Sequence, residues 1–328
     1  MNSPIPTGLD VGNASTKLVL GDLTLRTPSY LLEVTDQPRL DRPSEGYFRY
    51  VEGDRPSLTG RAFLVGEVAH EQAPVGLTRV SDDDTAKVNT GLEMLLGALS
   101  HLPHQAEWPL DLVASIHHSH EDAEGLTQAL QGAHRVQFNR HDAPVVVNIR
   151  VLKVVNEGAG AIVAGGLTSA KTLLYDLGNG TTITTIFGSK GRLIDRAVRS
   201  GGVEDLIDSI ARDPQVISQL HREGDRAVVR KALEDGSLVY GSTGFSLEAV
   251  YKAALKTWAG SVVKDALASG RRHEADAASR FAIGGGCLLP GLGQALAAKG
   301  VTIASDPVFI NARGLCKLAS LLAAQVAA

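Results

Sequence analysis

The chain has 328 residues, enough for about two domains and for a large core without covalent staples. Hydrophobic residues make up 44% and charged residues 21%, which excludes a disordered or low-complexity chain. A net charge of −4 argues against direct binding of nucleic acid, and two cysteines, Cys287 and Cys316, exclude a disulfide framework and suit a reducing compartment.

The opening residues, MNSPIPTGLD, lack the basic-then-apolar layout of a signal peptide. No apolar run reaches the roughly 18 residues a membrane span requires. A soluble, cytoplasmic protein with no membrane partner is expected.

Residues 7–11, a turn at Gly12-Asn13-Ala14 and residues 16–21 read as a β-hairpin, with a third strand at 23–26. From residue 27 to residue 74 the pattern is irregular. Asp36-Gln37-Pro38 and Arg42-Pro43-Ser44-Glu45-Gly46 signal loops, and 47–51 and 62–65 read as short strands of an inserted subdomain. Val88, Leu92, Leu95, Leu96 and Leu99 recur at helical spacing. Strands are expected at 110–117, 134–138 and 145–155, then a small-residue helix at 157–166.

A second start follows. Residues 172–176, a turn at Gly178-Asn179-Gly180 and residues 181–187 repeat the opening hairpin, and 193–200 adds a strand. Helices are expected at 203–212, 246–268, 291–298 and 314–327, with strands at 280–284 and 301–303. The organisation is two similar α/β halves.

The two hairpins share chemistry. Asp10-Val11-Gly12-Asn13-Ala14-Ser15-Thr16-Lys17 and Asp176-Leu177-Gly178-Asn179-Gly180-Thr181-Thr182 each end an apolar strand in Asp, with Gly two positions on and then Asn and a small residue. Such turns aim successive backbone N–H groups at an anion. The Asp suits a hydrated Mg²⁺ beside the phosphates, and Lys17 adds a point charge. One hairpin alone would be an ordinary turn; the repetition points to function. Neither a Walker A loop nor a Rossmann fingerprint occurs. A strand ending in Gly284-Gly285-Gly286 before Cys287-Leu288-Leu289-Pro290-Gly291 offers a flat backbone floor for a ring.

On these motifs the chain resembles the actin superfamily of ATPases, and within it the ParM/StbA type of bacterial and archaeal actin-like proteins. Asn156-Glu157-Gly158-Ala159-Gly160-Ala161 resembles the first connecting helix and Asn311-Ala312-Arg313-Gly314 the start of the second. The resemblance implies duplicated actin-like, ribonuclease H-like α/β domains with a nucleotide cleft between them and small inserted subdomains. The first would span 1–168, with an insertion at about 27–80 and the closing helix 312–328 packing back on it. The second would span 169–311, with an insertion at about 203–245. ATP or GTP with Mg²⁺ is the implied cofactor. Asp10 and Asp176 would hold the metal through water. Gly12, Asn13, Ala14 and Lys17 would contact the β- and γ-phosphates, and Gly178, Asn179 and Gly180 would clamp them from the other half. Gly202 would lie near the ribose, and Gly284, Gly285 and Gly286 would meet the base. Glu157, alone or with Asp176, would orient the attacking water. Many relatives have an acidic residue or Gly where Asn179 stands.

The implied activity is ATP-driven polymerisation into a head-to-tail filament, with plasmid cargo held through an adaptor protein. The alternatives are a small-molecule kinase, since Asp10-Val11-Gly12-Asn13 also resembles type III pantothenate kinases, and a nucleotide-binding scaffold. Other features have plainer readings. His117-His118-Ser119-His120 lacks zinc-ligand spacing and reads as a strand running into a loop. Ser81-Asp82-Asp83-Asp84 reads as a solvated loop at a helix N-terminus. Arg271-Arg272-His273 reads as a surface turn, and 315–326 as a docked helix.

Overall fold

The computed structural model describes residues 3–34, 45–73, 76–80, 85–117 and 119–327. The loop signals at Asp36-Gln37-Pro38 and Arg42-Pro43-Ser44, the run Ser81-Asp82-Asp83-Asp84, and His118 lie outside the described residues. The chain forms two compact units, residues 1–164 with 311–328, and residues 165–310.

The first unit opens on an antiparallel meander of β1 (Ile5–Val11), β2 (Ser15–Leu20) and β3 (Leu23–Pro28). It continues with β4 (Tyr30–Val34), β5 (Tyr47–Gly53), β6 (Ala62–Val65), α1 (Glu67–Gln72) and β7 (Thr78–Arg79). Then come α2 (Ala86–Leu99), β8 (Glu107–Ile116), α3 (Ser119–Leu130), β9 (Gly132–Phe138), β10 (Val145–Asn156) and α4 (Ala159–Ala164). The strands form one sheet in the order β3-β2-β1-β8-β10-β9-β5-β6-β4-β7. β1, β8 and β10 run parallel.

Burial follows the residue pattern. Every residue from Leu110 to Ile116 in β8 is buried, as expected of a central strand covered on both faces. β9 alternates instead, burying His134, Val136 and Phe138. Twelve of the 14 residues of α2 are buried, so this helix is enclosed all round and its single apolar stripe understates its environment. Because β5 pairs with β9, the segment read as an insertion at about 27–80 extends the main sheet. It keeps a small core of its own around Tyr47, Leu64 and Ala69. Residues 119–130, where the His cluster read as a loop, form helix α3; only Leu126 and Leu130 of it are buried, too few to print a helical pattern.

The second unit holds β11 (Thr172–Leu177), β12 (Thr181–Phe187) and β13 (Leu193–Ser200). Four helices follow: α5 (Val203–Ala211), α6 (Pro214–Leu220), α7 (Arg226–Glu234) and α8 (Glu248–Trp258). α6 starts at Asp213, whose side chain accepts from the Gln215 N–H ahead of Pro214, and α7 starts at Asp225, which accepts from Ala227 and Val228. The helix expected over 246–268 is interrupted by a π-helical turn, Ala259–Val263, before α9 (Lys264–Gly270). There Ser261 Oγ donates to the Thr257 and Trp258 carbonyls, competing with the regular ladder. β14 (Ser279–Ile283), α10 (Leu292–Ala297) and β15 (Thr302–Ile303) complete a sheet of order β13-β12-β11-β14-β15.

The two sheets repeat one construction. In each, a three-stranded antiparallel meander has its first strand paired in parallel with a later strand: β3-β2-β1-β8 and β13-β12-β11-β14. The registers also agree, Asp10 facing Lys17 and Asp176 facing Ile183, seven residues on in both.

The last helix, α11 (Ile310–Ala327), buries Leu315 and Ala319 with Val113 of β8. It crosses α4 at Gly160 and Gly314, where a methyl group on Gly314 would overlap the Gly160 carbonyl and one on Gly160 the Asn311 carbonyl. Two glycines let the backbones touch. Among the described residues no helix is long and apolar enough to cross a membrane.

Candidate functional site

In the first unit the expected phosphate residues lie at the carboxyl end of β1. Gly12 N–H donates to the Ser15 carbonyl at 3.1 Å, closing the turn. Ser29 ties the turn down from β4's side: its Oγ donates to the Gly12 carbonyl at 2.6 Å and its N–H to the Ala14 carbonyl. Asp10 is buried, at 9% exposure. Its Oδ1 accepts from Ser115 Oγ at 3.1 Å, and its Oδ2 lies 3.5 Å from Lys17 Nζ. Asn311 at the start of α11 donates to Ser115 Oγ at 3.2 Å, so a two-step relay fixes the rotamer of Asp10. A carboxylate hydrogen-bonded on one oxygen and only loosely paired, at 3.5 Å, on the other fits a magnesium ion that keeps most of its waters.

Glu157 follows β10. Register carries it to the same end of the sheet, because Asp10 faces Ser115 and Ser115 faces Val155. Its N–H donates to the Ile116 carbonyl. The carboxylate is buried and meets two residues that the sequence pattern did not assign to the site. Lys87, itself 4% exposed in α2, donates to Oε1, and His117 Nδ1 lies 2.6 Å from Oε2. Burial alone would raise the Glu157 pKa. The Lys87 charge, with the His117 ring beside the other oxygen, outweighs burial and holds the carboxyl well below the usual range.

In the second unit the equivalent turn closes the same way, Gly178 N–H donating to the Thr181 carbonyl at 3.1 Å. Asp176 ends β11. The Gly178 and Asn179 carbonyls accept from the N–H groups of Val203 and Glu204, which seats the turn on the N-terminus of α5 beside Gly202. Gly202 itself donates to Asp205 Oδ2 and its carbonyl accepts from Trp258 Nε1. Gly284 sits at φ +92°, and a side chain there would meet both Asp176 Oδ1 and the Leu177 carbonyl. A Cβ on Gly286 would crowd Leu177 and Val203, whereas Gly285 has open space. Asp176, Gly178 to Gly180, Gly202 and Gly284 to Gly286 therefore gather at one corner of this unit. The side chain of Asn179 is engaged within the protein: its Nδ2 donates to Glu204 Oε2 at 3.1 Å and its Oδ1 accepts from Arg230 at 2.9 Å.

Among the described residues no group of three or more His, Cys, Asp or Glu could hold a metal ion without other donors. His117 turns instead toward Lys87 and Glu157. Ser115 escaped the sequence reading because it sits inside an apolar run, and Lys87 because a single lysine in the first turn of a helix carries no motif.

Residues 8–160 match the family described as the N-terminal domain of actin-like proteins. The whole chain superposes on solved structures of the same kind. The chain has the actin-like fold. An archaeal actin homologue superposes with a TM-score of 0.76 at 17% identity, over 97% of this chain and 99% of that one. A Bacillus thuringiensis ParM solved with ATP gives 0.70 at 16% identity, over 99% and 100%. A ParM from a 15-stranded filament of Clostridium botulinum gives 0.69 at 17%, over 98% and 100%. These likenesses place the actin-like chain beside the ParM-type proteins in fold. No curated protein sequence matches it.

Proposed function

We propose that this chain is an actin-like ATPase that polymerises on binding ATP·Mg²⁺ and disassembles after hydrolysis, serving plasmid segregation through an adaptor protein. The observation that carries the proposal is the duplicated turn: two strand-end aspartates with the same register and the same closing hydrogen bond. Relatives in fold were solved with ATP and as a filament. The cytoplasm is the compartment proposed, and the filament's own subunits are the principal partner.

In this reading the backbone N–H groups of Asn13 and Ala14, and those of Asn179 and Gly180, receive the phosphates, with Lys17 adding charge, while Gly12 and Gly178 close the two turns and let the phosphates approach the backbone. Asn179 acts through its backbone, since Glu204 and Arg230 occupy its side chain. Gly202 would lie near the ribose, and Gly284 to Gly286, with open space at Gly285, would meet the base. Asp10 and Asp176 would hold Mg²⁺ through its waters. When bound, the ion neutralises charge on the β- and γ-phosphates.

Hydrolysis joins the water oxygen to the γ-phosphorus as the bond from that phosphorus to the bridging oxygen breaks. The electron pair leaves with ADP, and the water's proton ends on inorganic phosphate. Glu157, held ionised, is a poor proton acceptor; it orients the water, in keeping with a reaction that depends mainly on positioning.

Right-angle light scattering and pelleting, with and without ATP and Mg²⁺, test the proposal with Asp176→Ala as control. A nucleotide-dependent rise that the variant lacks is expected. A flat trace at high protein concentration, with ATP turnover stimulated by metabolites, would replace the filament with a small-molecule kinase.

A further inference from the structure

Three ionisable side chains from separate parts of the sequence meet inside the first unit. Lys87 comes from α2, His117 from just past β8, and Glu157 from just past β10. Lys87 Nζ donates to Glu157 Oε1 and lies 2.9 Å from His117 Nε2. An ammonium group has no lone pair, so Nε2 must be the acceptor. That places the ring proton on Nδ1, the nitrogen 2.6 Å from Glu157 Oε2. Nδ1 is buried with no aligned hydrogen-bond partner, so this N–H touches the carboxylate without being aimed at it. Each of the three side chains touches the other two.

The cluster is buried unevenly. The side chains of Lys87 and Glu157 are 5% and 9% exposed, and that of His117 is 25% exposed. Stability gives little reason to keep a charged pair in an otherwise apolar interior, since an apolar pair of similar volume commonly serves as well. Orientation gives a reason. A glutamate has three side-chain torsions to fix, and the Lys87 hydrogen bond to Oε1 with the His117 ring against Oε2 fixes them.

We propose that Lys87 is the positioning residue for Glu157, locking with His117 the orientation of the carboxylate that holds the attacking water. The proposal rests on the ATP-hydrolysing function given above. Lys87 touches neither nucleotide nor water; it acts through Glu157. Its removal lowers the rate of hydrolysis and leaves ATP binding in place.

The experiment compares the full-length wild type with Lys87→Met, Glu157→Gln and the double variant. Affinity for a fluorescent ATP analogue with Mg²⁺ is measured beside the single-turnover hydrolysis rate of ATP. Lys87→Met should slow hydrolysis by about tenfold or more, since small misplacements of reacting groups cost that much, with affinity changed by less than about twofold. The double variant should be no slower than Glu157→Gln, because the lysine has no effect once its target is changed. Full-rate hydrolysis by Lys87→Met beside a slow Glu157→Gln overturns the role of Lys87 alone. So do losses that multiply in the double variant, or a lost affinity with an unchanged rate. Wild-type turnover by Glu157→Gln refutes the function proposed above and this inference with it. Lys87→Met leaves a buried carboxylate without its ammonium partner; should it fail to fold, His117→Phe keeps the ring's volume at a partly exposed position. That variant is then read by the same rates, affinities and comparison with Glu157→Gln.

Discussion

Glu93 stands in the middle of α2 with 8% exposure, on a helix that is enclosed on nearly all sides. Burial raises its pKa from 4.5 to about 7, against the pull of its own backbone N–H and of the Arg61 and Arg55 charges, while Glu33 adds to the rise. Between those two values the folded chain keeps a proton that the unfolded chain has lost. The stabilisation is therefore full below pH 4.5 and is lost as pH rises through about 7. At about 1.4 kcal/mol per pKa unit, the span amounts to about 3 kcal/mol. Glu93→Gln removes the titration and keeps the shape. It should match the wild type near pH 4.5 and exceed it by about 3 kcal/mol at pH 8. Urea unfolding at a series of pH values measures this, followed by Trp108 of β8 in a Trp258→Phe background so that the signal reports the first unit. A stability difference that stays constant with pH, or a wild type more stable than the Gln variant at pH 8, would refute the reasoning.

Gly314→Ala should destabilise the first unit by about 3 kcal/mol or more, because the methyl group has only the Gly160 backbone to enter; loss of the urea midpoint checks it. Arg150 donates to both oxygens of buried Asp111 at 2.7 and 2.6 Å, so Arg150→Met should cost about 2 kcal/mol, less than a fully buried pair because half of the Arg150 side chain meets water. Arg150→Met with Asp111→Leu should recover most of that loss in the same titration. Asp10→Ala should lower Mg²⁺-dependent ATP hydrolysis by about a hundredfold or more, and wild-type turnover in that variant would remove Asp10 from the site.

Much of the fold was legible because its signals are local. Both hairpins, the buried strand β8 and the enclosed helix α2 announce themselves through turn residues and apolar runs. β4 and the pairing of β5 with β9 did not, since that ladder joins residues more than 80 apart, as at Phe48 and Phe138. α6 and α7 were hidden in a polar stretch whose ends are marked by Asp213 and Asp225. The candidate site divides along the same line. Turn glycines and strand-end aspartates show in sequence, but Ser115 serves Asp10 across a parallel ladder and Lys87 reaches Glu157 across 70 residues.

The repeated turn has a consequence for how such a chain can change over time. In the function proposed above, the groups that meet the phosphates are main-chain amides, which every residue but proline carries. Substitution therefore leaves them in place wherever the backbone can still close the turn. Only the aspartates and the crowded glycines are tied to their identity. A turn built this way can exchange most of its side chains and keep its shape.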